Sequence, residues 1–374
     1  MKIRNLFGLT FSGTLLLLVA GSGFARGREP IKPSKTVGVN AHPAANAPWF
    51  KTEVDTLGDV GLYPSVAINP SSGYTYISHY DATNQALRMA RYPDFSSSCD
   101  LNDEWGCDTL DSGADLGQYS SIAVNHKTEG VGIAYHDATN GNLKYLYSKN
   151  PYLWVYSKIT IDRGISGVST TGLHTSLKYN SNGQPFIAYH FNNPSGVDAL
   201  MVAYESYASG NCVNGDKPDE WRCETIITGE GVGQYPSLVV KDDWEFHVAY
   251  YDAGNGDLWY GTSEGDGNCG FYGNDWACYP ISGQTADVGK YASMYVDDAG
   301  LFHIAYYDAT NDDLKYAVEV SSGGNCGVLG SAQCDTIDAM PADYHHLGIS
   351  IAEDPAGYPM IAYQSLYGSL NVAR

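Results

Sequence analysis

The chain has 374 residues with 42 Gly, 30 Tyr, 17% charged residues and a formal net charge of −21. So acidic a surface repels phosphate backbones and anionic lipids, which excludes nucleic acid and anionic membranes as partners. Few stretches carry helical spacing, and the abundance of Gly and Tyr favours an all-β class.

Lys2 and Arg4 precede an apolar run through Leu15 to Ala20, and small residues follow from Gly21 to Ala25. This pattern predicts a secretory signal peptide over residues 1–25, cleaved near Ala25, and it is too short for a membrane span. The expected location is therefore secreted, extracellular or periplasmic, with no membrane span. Loss of Lys2 and Arg4 would move the formal charge from −21 to −23. Residues 26–48 are rich in Pro, Ala and Lys without apolar periodicity, and are expected to form a flexible leader.

From residue 49 the chain repeats itself. Ile304-Ala-Tyr-Tyr-Asp-Ala-Thr-Asn recurs in variants that begin at Ile77, Ile133, Ile187, Val248, Ile304 and Ile361. A second stretch precedes each copy, opening on Tyr63, Tyr119, His174, Tyr235, Tyr291 and, by spacing, His346. An array of one supersecondary unit follows. In the first unit, strands are expected near Ser65 to Asn69, Tyr74 to Tyr80, Ala86 to Arg91 and Cys107 to Ser112, separated by turn-forming residues. Trp49-Phe-Lys-Thr-Glu-Val-Asp55 copies the unit's last segment, Trp105-Gly-Cys-Asp-Thr-Leu-Asp111, whereas the C-terminus stops one strand short. The predicted fold over 49–374 is thus a six-bladed β-propeller, four antiparallel strands per blade, closed by the N-terminal strand completing the last blade.

The eight cysteines fall in pairs at the same place in four repeats: Cys99 with Cys107, Cys212 with Cys223, Cys269 with Cys278, and Cys326 with Cys334. In an exported chain this predicts four local disulfides. Cys-x-x-Cys spacings that would favour zinc are absent.

Antiparallel order puts the Asp-Ala-Thr-Asn turns and the Gly-x-Tyr segments on one face. Asp81, Asp137, Asp252 and Asp308 open those turns, and an Asp there caps the turn's own backbone. The functional alternative is a ring of carboxylates able to meet cations or sugar hydroxyls. Sixfold geometry would set His174 opposite His346, with His345 alongside, and neutral imidazoles could hold an axial metal ion. The candidate ligand-binding set at the channel mouth is Tyr63, Tyr119, His174, Tyr235, Tyr291, His345, His346 and the four aspartates. His79, His136, His190, His247 and His303 read as core histidines.

The Tyr-Tyr-Asp-Ala-x-Asn-Gly hairpins resemble those of secreted bacterial β-propellers of the sialidase-like superfamily. The resemblance implies the fold. It carries over no catalytic residue, because this chain lacks both an arginine triad and the Asp-box Ser-x-Asp-x-Gly-x-Thr-Trp. The expectation is a non-catalytic, monomeric exported propeller that binds an extracellular glycan or protein. The alternative is a polysaccharide-acting hydrolase or lyase with its site at the channel mouth.

Overall fold

Each Ile-Ala-Tyr copy becomes the second strand of an antiparallel sheet. The computed structural model describes residues 54–374 apart from 95–98, 100–103, 152–154, 166, 195, 207–209, 213, 265–266, 271–275, 283–285, 340–347, 355–356 and 365–369. Blade 1 is β1 (Val60–Ile68), β2 (Thr75–Asp81), β3 (Ala86–Tyr92) and β4 (Gly106–Asp111). Blade 2 is β5 (Leu116–Val124), β6 (Val131–Asp137), β7 (Asn142–Ser148) and β8 (Ser157–Asp162). Blade 3 is β9 (Thr170–Tyr179), β10 (Pro185–Asn192), β11 (Asp198–Glu205) and β12 (Trp221–Gly229). Blade 4 is β13 (Val232–Lys241), β14 (Glu245–Asp252), β15 (Asp257–Thr262) and β16 (Ala277–Pro280). Blade 5 is β17 (Val288–Val296), β18 (Phe302–Asp308), β19 (Asp313–Glu319) and β20 (Ala332–Ala339). The described strands of blade 6 are β21 (Ile349–Glu353), β22 (Pro359–Gln364) and β23 (Leu370–Ala373).

Strands pair in sequence order within every blade, and the blades form a propeller ring, as the repeat predicts. The continuous apolar runs follow from that architecture, because a sheet packed between two neighbours is covered on both faces. Every residue of β6 is buried. The cores lie between blades: Leu87 and Met89 of blade 1 pack with Ile122 and Ile133 of blade 2. Phe186 and Leu200 of blade 3 pack likewise with Leu238 and Val248 of blade 4.

The inner strand begins earlier than its composition suggests. The Gly-x-Tyr segment, expected to be a connection, belongs to the strand itself and carries a bulge. Pairing shifts between Leu62 and Ser65, Gln118 and Ser121, Gln234 and Ser237, and Lys290 and Ser293. At each bulge a non-glycine residue takes the left-handed region: Tyr63, Tyr119, His174, Tyr235 and Tyr291 have φ of 50–56°. Five repetitions of a conformation that costs energy for a bulky side chain mark the bulge as built-in. The glycine two residues earlier lets neighbouring blades touch. A Cβ on Gly117, Gly172, Gly233 or Gly289 would come within 2.7–2.8 Å of the Cα of Leu87, Leu143, Leu200 or Leu258 in the preceding blade.

Two residues after the bulge, a serine ties each of blades 1–5 to the next. Ser65, Ser121, Ser176, Ser237 and Ser293 accept from the backbone N–H of Ile122, Leu177, Leu238, Met294 and Ile351, at 3.0–3.1 Å. These links fix the register of blade 6. Ile351 takes the place of Met294, so the bulge position in blade 6 falls on Gly348, two residues after His346. The equation of His346 with Tyr63 is therefore corrected.

The described end of the N-terminal segment behaves as the end of an outer strand. Asp55 contacts His79 and Arg88 of blade 1 at 3.1 and 2.7 Å, as Asp111 contacts Tyr135 and Lys144 of blade 2 at 2.7 and 3.0 Å. Burial alone would raise the pKa of Asp55, but Arg88 and His79 outweigh it and hold the carboxyl below its usual range. The predicted closing strand itself, residues 49–53, lies outside the described residues, as do the signal peptide and leader.

All four predicted disulfides are present. Cys99 bonds Cys107 in blade 1 and Cys212 bonds Cys223 in blade 3, with sequence separations of 8 and 11. Cys269 bonds Cys278 in blade 4 and Cys326 bonds Cys334 in blade 5, with separations of 9 and 8. Each staple ties the loop that enters the outer strand to that strand, and Cys278 and Cys334 lie within β16 and β20 themselves.

Candidate functional site

The bulges converge on the axis. Ring centroids of Tyr63 and Tyr119 are 4.5 Å apart, Tyr119 and His174 4.4 Å, His174 and Tyr235 4.2 Å, and Tyr235 and Tyr291 4.6 Å. The rings thus stand side by side in an arc, an iris of five aromatic groups about the axis. All five remain partly exposed to solvent. Gly348, the equivalent residue of blade 6, contributes no side chain to this arc.

A second tier that the sequence reading did not separate from the core surrounds the first. Tyr80, His136, His190, Tyr251 and Tyr307 back the iris at 6.2–6.4 Å between ring centroids. Tyr80 and Tyr251 donate to Asp115 and Asp287 of the following blade at 2.7 and 2.6 Å, and His136 bonds the Thr171 carbonyl oxygen at 2.7 Å. The signal lay in the motif: these are the residues just before the turn aspartate, or before Phe191 in blade 3.

Burial sets the charge state of this assembly. It pushes the Tyr119 phenol up to about 12, with the Tyr63 hydroxyl adding to the effect, and raises Tyr235 further. Tyr119 and Tyr235 thus keep their protons as hydrogen-bond donors. Burial, helped by His190 and His136, pushes His174 down to about 3, so its imidazole is neutral. His190 falls to about 4 through burial, against the pull of Asp198.

The turn aspartates do not form an open ring of carboxylates. Asp81, Asp137, Asp252 and Asp308 are only 1–7% exposed. Each accepts from the backbone N–H and the side-chain amide of its own Asn84, Asn140, Asn255 or Asn311, at 2.8–3.3 Å. Their oxygens are occupied by the turn, which corrects their inclusion among the ligand-binding residues. His345 and His346 lie outside the described residues. Among the described residues no group of three or more His, Cys, Asp or Glu is arranged to hold a metal ion. His79, His136, His190 and His247 are buried and His303 partly so, as expected of core histidines.

No known protein-family profile matches the chain, and no curated protein does. Solved structures do match its fold. A triple arginine-to-alanine mutant of AofleA from Arthrobotrys oligospora is 12% identical, with a TM-score of 0.50, covering 84% of this chain and 86% of its own. The hemagglutinin-neuraminidase of parainfluenza virus 5 is 9% identical, with a TM-score of 0.50, covering 86% of this chain and 90% of its own. The α-L-arabinofuranosidase of Lactobacillus brevis is more distant, at 9% identity and a TM-score of 0.40, covering 80% and 92%. At such identities the likeness concerns the propeller fold alone.

Proposed function

We propose that this chain is an exported, non-catalytic propeller that binds an extracellular glycan or protein partner at the axial mouth. The observation that carries the reading is the iris of Tyr63, Tyr119, His174, Tyr235 and Tyr291: partly exposed, closely spaced, and rich in phenolic hydroxyls. Aromatic rings with a polar handle give sugars and proteins flat contact area at little entropic cost. The four disulfides suit an oxidising, extracellular setting, and no helix among the described residues is long and apolar enough to cross a membrane. Hydrolysis at the same mouth would call for a carboxylate available as acid or base; the four turn aspartates are committed to their own turns, and Asp115 and Asp287 accept from Tyr80 and Tyr251. The AofleA and hemagglutinin-neuraminidase structures support the fold on which this reading stands.

The test is a glycan and protein array probed with the wild-type chain and with a double variant carrying Tyr63→Phe and Tyr235→Phe. Retention of the wild type, weakened at least tenfold in the double variant, is expected. Equal retention of the two proteins would refute the axial mouth as the binding site.

A further inference from the structure

On the face opposite the iris, blades 3 and 4 enclose a cleft of about 270 Å³. Clefts for drug-sized ligands run from roughly 300 to 1,000 Å³, so this one is scaled to a single small ring. Beneath it lie Phe186, which is buried, Tyr204, whose partly exposed ring forms the floor, and Phe246, which is buried. Its wall is Trp244, which stands at 87°, 82° and 87° to those rings, with centroids 6.0, 5.9 and 6.2 Å away. Trp244 is 59% exposed, and of the six equivalent turns only the one between β13 and β14 carries a tryptophan. The turn is anchored: Ser263 Oγ donates to the Trp244 carbonyl oxygen at 3.2 Å, and Asn180 of blade 3 donates to that of Asp243 at 3.2 Å. The cleft has one polar end. Arg222 Nε and Tyr204 Oη both donate to Glu224 Oε1, the latter at 3.0 Å, and Oε2 takes part in neither bond. Cys223, between Arg222 and Glu224, is stapled to Cys212, which fixes the strand that presents them.

From this geometry we infer that the cleft is a seat for a neutral hexopyranose. It takes its ligand class from the glycan reading above but stands apart from the axial mouth. Two perpendicular aromatic surfaces fit the C–H faces of a sugar ring, and a fixed guanidinium and carboxylate side by side offer a donor and an acceptor to adjacent hydroxyls. Charge selects against the competitors. Arg222 is ion-paired with Glu224, so the polar end carries no net charge with which to hold a quaternary ammonium. The net charge of −21 disfavours a carboxylated sugar.

The test titrates the whole protein with methyl glycosides of glucose, galactose, mannose and fucose, and with choline and methyl sialoside, followed by tryptophan fluorescence and calorimetry. At least one neutral glycoside is expected to saturate. Its affinity is expected to fall at least tenfold in Trp244→Ala and in Glu224→Gln, with thermal midpoints within a few degrees of wild type. Wild-type affinity in both variants, a preference for choline or the sialoside, or no binding of any neutral glycoside overturns the assignment. If Trp244→Ala keeps wild-type retention on a glycan array, the cleft fails and the glycan reading stands; if the wild type retains no glycan at all, the glycan reading fails as well.

Discussion

A single serine in each inner strand is the smallest unit on which the ring depends. Ser237 accepts from Met294 N–H across the blade boundary at 3.0 Å. Ser237→Ala leaves that amide without its partner in a mostly dry interface, a cost of about 1–3 kcal/mol. An unfolding free energy lowered by that amount, seen as a lower denaturant midpoint at unchanged m, is expected, and an unchanged midpoint would contradict the linking role. Histidine makes the second prediction at this scale. Burial lowers His174 to about 3 and also lowers His79, His136, His190, His247 and His303. The unfolded chain protonates such groups near pH 6.5, while folded His174 stays neutral until about pH 3. Protons thus favour the unfolded state in that window: stability is fully present above pH 6.5 and declines as pH falls through it. His174→Tyr, which installs the residue of blades 1, 2, 4 and 5, is expected to make the thermal midpoint less dependent on pH between 6.5 and 4. An identical slope would mean that His174 is not held neutral.

At the scale of the strand, the bulge needs both a positive φ and a bare Cα. Gly233 has φ +90°, and a Cβ there would lie 2.8 Å from the Cα of Leu200, whereas Gly61, at φ +91°, has no atom of the described residues within 4 Å of such a Cβ. Gly61→Ala should therefore carry only the left-handed backbone penalty of about 1–2 kcal/mol. Gly233→Ala adds an inter-blade clash and should unfold at distinctly lower denaturant; equal midpoints would remove the close approach from the account. The strand is also where the sequence misleads. Gly-x-Tyr looks like a connection because glycine and a left-handed residue interrupt alternation, but a bulge lets pairing continue through both. The position of Gly348 was likewise obscured, because blade 6 lacks the aromatic that marks it elsewhere. The 57-residue step from Ile304 to Ile361 does point to it.

For the whole molecule, repetition made the number of blades, the disulfide pairs and the duty of the turn aspartates readable, since each is stated several times over. The bonds of Cys269 to Cys278 and of Cys326 to Cys334 simply repeat the one between Cys99 and Cys107. The cleft between blades 3 and 4 was not readable. Phe186, Arg222 and Trp244 come from three separate stretches and recur nowhere, so only folding brings them together. Ring closure was predicted from one copied segment, and the contacts of Asp55 with His79 and Arg88 agree with it. The most direct measurement compares the thermal midpoints of two truncations, one beginning at residue 49 and one at residue 56. A closed wheel predicts that the first matches the protein lacking only residues 1–25, while the second loses many degrees through an uncovered sheet edge and the lost Asp55 contacts. Equal midpoints for the two truncations would contradict closure by the N-terminal strand.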